Sequence, residues 1–72
     1  MTVDTGKLVR MAEQITANLA YTDDETVVAA KVADHLNRFW DPRMKEAIRE
    51  HARAHGEELS STLRSAIAEL GD

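Results

Sequence analysis

Phe39-Trp40-Asp41-Pro42-Arg43-Met44 contains the single phenylalanine, the single tryptophan and the single proline of the chain. Proline has no amide hydrogen and a fixed φ, so a helix that arrives from the N-terminal side should end near Trp40. Asp41 can then cap a new helix whose first residue is Pro42, where a missing amide donor does no harm. The segment therefore predicts a sharp turn between two helices, with two large rings beside it.

The length and the lack of cysteine limit the class of protein. The 72 residues make one domain at most, and its own core should be marginal unless another surface covers it. No cysteine is present, so disulfides and thiolate metal sites are excluded. No apolar run approaches the roughly 20 residues that span a bilayer, and residues 1–4 lack the pattern of a signal peptide. We therefore expect a cytoplasmic protein.

Charge and periodicity indicate the fold class. The net charge of −4 argues against a nucleic-acid partner, whose phosphates favour a basic surface. Hydrophobic residues make up 43% of the chain and recur in helical steps, whereas β-branched residues form no alternating run. We predict an all-α protein, a small bundle of four short helices joined by tight turns in one domain over residues 1–72.

Apolar periodicity gives the expected helix positions. In the first helix one apolar stripe consists of Leu8, Met11, Ala12, Ile15 and Leu19. Residues 1–5 should form a frayed tail, and the helices should cover about residues 6–19, 23–39, 42–55 and 61–70.

Capping residues refine the ends of these helices. Thr5 is expected to cap the first helix, and Thr22-Asp23-Asp24-Glu25 fits the capping box at the start of the second. The second helix should bury Phe39 at its far end. Gly56 is expected in the left-handed conformation that ends the third helix, and Ser60 should cap the fourth.

Residues suited to catalysis or metal binding are few. His51 and His55 are four apart and could chelate a metal, but the motif His-Ala-Arg-Ala-His lacks the glutamate of the zincin pattern and no third ligand is apparent. The sequence contains no glycine-rich phosphate loop or nucleophile–base arrangement. Four helices of about three turns each cannot readily enclose a substrate pocket. We expect no catalytic, cofactor or metal site, and no enzyme activity.

A surface for a protein partner is a better match to this chain. Tryptophan and arginine often dominate such contacts, and Trp40 and Arg43 stand together at the predicted turn, although Trp40 could instead plug the core between two helices. A polar stripe on the first helix is either a solvated face or a recognition face, and His35 lies at the edge of an apolar stripe. The predicted partner-binding residues are Trp40, Asp41, Pro42, Arg43, Met44, Lys7, Arg10, Gln14 and His35.

Two blocks of sequence resemble a known family. Residues 7–15, KLVRMAEQI, and residues 32–44, VADHLNRFWDPRM, are similar to the delta subunit of soluble NAD-dependent formate dehydrogenases. The resemblance covers nearly the whole chain, but it is looser after Gly56, since the family often has Asp-Pro where this chain has Ser60-Ser61. It implies an accessory subunit that associates with the large molybdenum- or tungsten-dependent catalytic subunit and holds no iron–sulfur cluster, in agreement with the lack of cysteine.

The expected function follows from these observations together. We expect a non-catalytic subunit that binds the catalytic subunit of formate dehydrogenase and stabilises or helps assemble the complex. A transient maturation chaperone for cofactor insertion is one alternative, and a small helix-turn-helix DNA-binding protein is another, which the acidic balance disfavours. No membrane partner is expected, and a homodimer is plausible when the chain is isolated.

Overall fold

Four α-helices and one 3₁₀ turn make up most of residues 4–20 and 24–71, the part of the chain that this computed structural model describes. The elements in chain order are α1 (Thr5–Leu19), α2 (Glu25–Phe39), α3 (Pro42–His55), the 3₁₀ turn (Gly56–Glu58) and α4 (Ser61–Ala68). No strand occurs in these residues, which confirms the all-α class. None of these helices combines the length and hydropathy that crossing a bilayer requires.

Side-chain caps start the two C-terminal α-helices as the sequence predicts. The Asp41 carboxylate accepts a hydrogen bond from the Met44 amide at 2.9 Å, and Pro42 occupies the first turn of α3. The Ser60 hydroxyl accepts one from the Leu63 amide at 3.2 Å. Each bond satisfies one of the amides that a helix start leaves without an intrahelical acceptor.

The predicted caps of the first two helices are wrong. Asp4, not Thr5, caps α1, and its carboxylate accepts from the Lys7 amide at 3.1 Å. Asp24 caps α2 by accepting from the Val27 amide at 3.0 Å, so this helix begins at Glu25 and not at residue 23. In both cases a carboxylate serves as the acceptor, which the positive end of a helix dipole favours. The remainder of the proposed capping box, residues 22–23, lies outside the described residues.

The link between α3 and α4 also differs from the prediction. Gly56 does not adopt the left-handed conformation; its φ of −57° and ψ of −29° are right-handed, and it begins the 3₁₀ turn. The Leu59 amide then donates to the Gly56 carbonyl at 3.1 Å, and the Leu59 side chain is buried. Burial of the Leu59 side chain favours the tighter turn, and this contribution cannot be recognised from the sequence of the turn alone.

The last helix ends earlier than predicted, at Ala68 instead of Leu70. The amides of Glu69 and Leu70 donate to the carbonyls three residues earlier, at 3.0 and 3.1 Å. Such bonds tighten the final turn of a helix and satisfy carbonyls that would otherwise lack a partner. Leu70 still packs against the core from this turn.

The core lies between α2 and α4 and is completed by α1 and α3. Its five largest fully buried side chains belong to Val28, Val32, Leu36, Ile48 and Leu63. Small residues, Ala29, Ala33 and Ala66, are also buried and allow the helices to approach closely. In α1 the buried positions include Thr16, whose hydroxyl donates to the Ala12 carbonyl at 2.8 Å, whereas Met11 of the predicted stripe is exposed.

Polar contacts between helix ends fix how α2 and α4 are aligned. At their N-terminal ends, the Glu25 carboxylate accepts hydrogen bonds from the hydroxyls of Ser61 and Thr62. At the other end, the Asn37 side-chain oxygen accepts from the Gly71 amide at 3.0 Å. Because the N-terminal ends of α2 and α4 are in contact, and their C-terminal ends are as well, the two helices run in the same direction.

Glu25 should make stability depend on acid pH. The hydrogen bonds from Ser61 and then Thr62, with the charge of Arg64, hold the pKa of this carboxyl below its ordinary value of 4.5. A carboxyl with a lower pKa in the folded state contributes stability that is present above its unfolded pKa and lost as the pH falls through the folded pKa. The contribution should therefore be complete at neutral pH and disappear below about pH 4.5.

Urea unfolding of the wild type and of Glu25→Gln between pH 7 and pH 3 measures this contribution. We expect the midpoints of the two proteins to differ at pH 7 and to converge as the pH falls, because the carboxylate is then protonated. The double variant Ser61→Ala/Thr62→Ala removes the two hydroxyl donors and should behave in the same way. An unchanged difference between the midpoints at pH 3 and pH 7 would contradict the assignment.

The two adjacent aromatic rings at the end of α2 have opposite environments. Trp40 is 6% exposed and belongs to the core, whereas Phe39, predicted to be buried, is 70% exposed. The Trp40 amide closes the last turn by donating to the Leu36 carbonyl at 2.9 Å, and its φ of −96° and ψ of 135° are extended. The extended backbone turns the indole into the core and leaves the phenyl ring on the last helical residue in solvent.

Candidate functional site

The elbow, defined as residues 39–44, presents an aromatic ring and a cation to solvent. Among the described residues, three large hydrophobic side chains are exposed, and Phe39 is the most exposed of them; the other two are Met11 and Val27. The His35 ring, one turn earlier on α2, packs against Phe39 with ring centroids 4.7 Å apart. Arg43 is exposed and makes no ion pair or hydrogen bond with another described side chain. The elbow thus offers an apolar surface beside an available guanidinium group.

The other predicted elbow residues form its internal support. The Trp40 ring lies in the core, and the Asp41 carboxylate is occupied by the cap of α3. Pro42 is exposed at the first turn of this helix, and Met44 is partly buried against the core. Of the five elbow residues predicted to contact a partner, Trp40 is therefore the one that the chain's own packing covers.

The polar stripe of α1 forms the rim of an open cleft. The cleft has a volume of about 490 Å³, and the described residues that line it are Lys7, Arg10, Met11, Gln14 and Ile15. Lys7, Arg10 and Gln14 were predicted as partner-binding residues, and the structure adds the apolar side chains of Met11 and Ile15. Two cationic side chains, a side-chain amide and an apolar surface are groups suited to binding a peptide segment that contains carboxylates.

The cleft and the elbow are separate patches towards one end of the molecule. Helices α1 and α2 are consecutive, pack together and are joined by a short connection, so they are antiparallel neighbours. The start of α1, with Lys7, therefore lies towards the end of α2, with Phe39. His35 touches the elbow directly, whereas no hydrogen bond or ion pair in residues 4–20 and 24–71 joins the cleft to the elbow.

Sequence reasoning missed Phe39 as a surface residue, although a signal was present. Consecutive residues of a helix point about 100° apart, so two adjacent bulky rings cannot both face the same core. Pro42 ends α2 just before Trp40, and the extended residue after a helix can turn inward more freely than the last helical one. Which of the two rings is buried still depends on the positions of α3 and α4.

A cluster at the other end of α3 was also missed. No third ligand is apparent beside the histidine pair in the sequence, but in the structure the Glu58 carboxylate lies 3.3 Å from His51 Nε2 and 3.8 Å from His55 Nδ1. Ligand atoms of His55, Glu57 and Glu58 all lie within 4.8 Å of one another. The spacing of four and then three residues from His51 follows one helical face, but the predicted third helix ends at residue 55, before Glu58.

Comparison with known proteins yields one family. The family model described as "NADH-dependant formate dehydrogenase delta subunit FdsD" matches residues 7–67 of the 72 residues. The match begins at the first side chain of the cleft and includes the whole elbow. No curated protein and no solved structure matches the chain.

Proposed function

The chain belongs to the family of NADH-dependent formate dehydrogenase delta subunits, and from this premise we propose that it is a non-catalytic, cytoplasmic accessory subunit. Its partner in this proposal is the catalytic subunit of a molybdenum- or tungsten-dependent formate dehydrogenase. It binds that subunit and stabilises the complex or helps to assemble it. Catalysis and cofactor binding belong to the partner.

The exposure of Phe39 is the observation that carries this proposal. A phenyl ring that is 70% exposed beside a buried tryptophan leaves apolar area in water that a partner can cover. Covering such a side chain contributes about 1.5–3 kcal/mol. Arg43, four residues along, adds a guanidinium group that can pair with a carboxylate through two parallel hydrogen bonds. Phenylalanine and arginine are both enriched in protein interfaces relative to the rest of the surface.

The remaining predicted residues divide into contacts and supports. In this proposal Lys7 and Arg10 pair with carboxylates of the partner, and Gln14 offers both a donor and an acceptor. His35 holds the Phe39 ring in place through the ring contact at 4.7 Å. The supports are Trp40, Asp41, Pro42 and Met44, which set the shape of the elbow from the core, the helix cap and the first turn of α3.

Stabilisation by mass action gives the proposal a mechanism. A protein that binds only the folded or assembled state of a partner shifts the partner towards that state by RT ln(1 + [L]/Kd). A permanent subunit and a transient maturation chaperone would both act in this way. They differ in whether the delta chain remains bound after the cofactor has been inserted.

Co-expression with the catalytic subunit, followed by size-exclusion chromatography, tests the proposal. We expect the chain to co-elute in stoichiometric amounts with the purified active enzyme, and the yield of active enzyme to fall when the chain is omitted. Co-elution with the cofactor-free catalytic subunit alone would favour the maturation chaperone. No co-elution with either form, together with unchanged enzyme yield, would refute both roles.

A further inference from the structure

Three side chains meet where α3 passes into the 3₁₀ turn. His51 and His55 are one helical turn apart, with ring centroids separated by 5.2 Å. The Glu58 carboxylate faces both rings, with one oxygen 3.3 Å from His51 Nε2 and the other 3.8 Å from His55 Nδ1. Two imidazoles and a carboxylate are a ligand set that zinc uses in proteins.

Each distance from the carboxylate to an imidazole is close to the separation of two ligands on one metal ion. Two ligand atoms that each lie about 2.1 Å from a tetrahedral zinc are about 3.4 Å apart. The separation of 3.3 Å from one Glu58 oxygen to His51 Nε2 and that of 3.8 Å from the other oxygen to His55 Nδ1 are close to this value. Ligand atoms of His55, Glu57 and Glu58 already lie within 4.8 Å of one another, whereas His51 lies outside this group. The side chains of His55 and Glu58 are more than half exposed, so rotation of these side chains would bring their ligand atoms to His51 Nε2 without moving the backbone.

His51 supplies a second, independent observation. Its Nε2 atom is buried and makes no hydrogen bond in the described part of the chain, although a Glu58 oxygen lies nearby. A buried polar atom without a partner is unfavourable. Coordination of a metal through Nε2 would satisfy this atom, and it would use the carboxylate as a neighbouring ligand instead of a poorly aligned acceptor.

We propose that His51, His55 and Glu58 form a zinc-binding site. Glu57, whose carboxylate lies within 4.8 Å of ligand atoms of His55 and Glu58, or a water molecule would complete four-coordination. The ion would tie the last turn of α3 to the 3₁₀ turn, and thereby fix the link that leads into α4. Imidazole ligands favour Zn²⁺ over Mg²⁺, which prefers oxygen ligands and retains its water. This site is independent of the proposed docking surface.

Calorimetric titration of the tag-free, chelator-treated chain with ZnCl₂ tests the site. We expect saturable binding of one Zn²⁺ per chain and no binding of Mg²⁺. His55→Ala and Glu58→Gln should each weaken zinc affinity at least about tenfold, as loss of a ligand should exceed the 10–100-fold effects known for residues that merely orient ligands. Glu69→Gln, an exposed glutamate on the turn after α4, should retain wild-type affinity.

Thermal unfolding provides a second readout. Zinc that binds the folded chain should raise Tm in the wild type and in Glu69→Gln, but not in His55→Ala or Glu58→Gln. Absence of saturable zinc binding at concentrations up to about 1 mM would overturn the proposal and leave the cluster as a simple ion pair. Equal zinc affinity in the wild type, His55→Ala and Glu58→Gln would overturn it as well.

Discussion

Trp40→Ala is expected to remove a large part of the free energy of unfolding. The indole is 6% exposed and packs in the core at the point where α2 gives way to α3. Truncating a buried tryptophan to alanine usually destabilises a protein by about 3–5 kcal/mol, because burial is lost and a cavity remains. A chain of this length has a total stability of only about 4–11 kcal/mol. The variant should therefore be marginally folded or unfolded at 37 °C.

Urea denaturation followed by far-UV circular dichroism measures this effect. Phe39→Ala is the matched control, since it removes the adjacent ring from an exposed site and should change the free energy of unfolding by less than about 0.5 kcal/mol. If Trp40→Ala and Phe39→Ala lower the urea midpoint equally, the opposite environments assigned to the two rings are wrong. The expected instability also means that Trp40→Ala cannot serve as a test of partner binding.

Phe39→Asp is expected to weaken partner binding strongly while the chain stays folded. The ring lies outside the core, so its loss leaves no cavity, and a carboxylate at the end of α2 costs at most about 1 kcal/mol against the helix dipole. In the proposed complex the same change places a charge where the partner should cover an apolar ring. Loss of a dominant interface residue costs 2 kcal/mol or more, which is about a thirtyfold weaker Kd.

Isothermal titration of the purified catalytic subunit with the wild type and the variants gives the comparison. Ala30→Asp introduces the same charge on the same helix; nine residues separate the two positions, so residue 30 lies on the opposite side of α2 and is exposed. We expect Ala30→Asp to bind like the wild type. Equal weakening by both variants, or full binding by Phe39→Asp with native circular dichroism, would remove the elbow from the interface.

Local chemistry explains why much of the fold could be predicted. Asp41 and Pro42 fix the start of α3, because the side-chain cap and the missing amide hydrogen of proline both act within the first helical turn. Ser60 starts α4 by the same rule. At the start of α1, two neighbouring residues, Asp4 and Thr5, could both cap the helix. At Gly56, the error arose because the turn depends on burial of Leu59 in a core that distant segments build.

The candidate surface was predictable only in part, because exposure depends on contacts between distant segments. The polar side chains at the start of α1 were identified from their helical spacing, and they do line a cleft. Met11 and Ile15, which form its apolar part, had been assigned to the predicted core stripe. Glu13 had no predicted role, yet its carboxylate accepts hydrogen bonds from the amide and hydroxyl of Ser60 at 2.9 Å and so connects α1 to the start of α4.

By itself, the amino-acid sequence determined the helical class and the capped proline turn, since periodicity, caps and the proline ring act over a few neighbouring residues. Tertiary structure alone decided that Trp40 turns inward while Phe39 stays in solvent, and that Glu58 meets the two histidines. Both outcomes depend on where one helix ends relative to others that are distant in the chain. A ring is buried only if a neighbouring helix of the same chain leaves space for it, and local sequence propensity contains no information about that space.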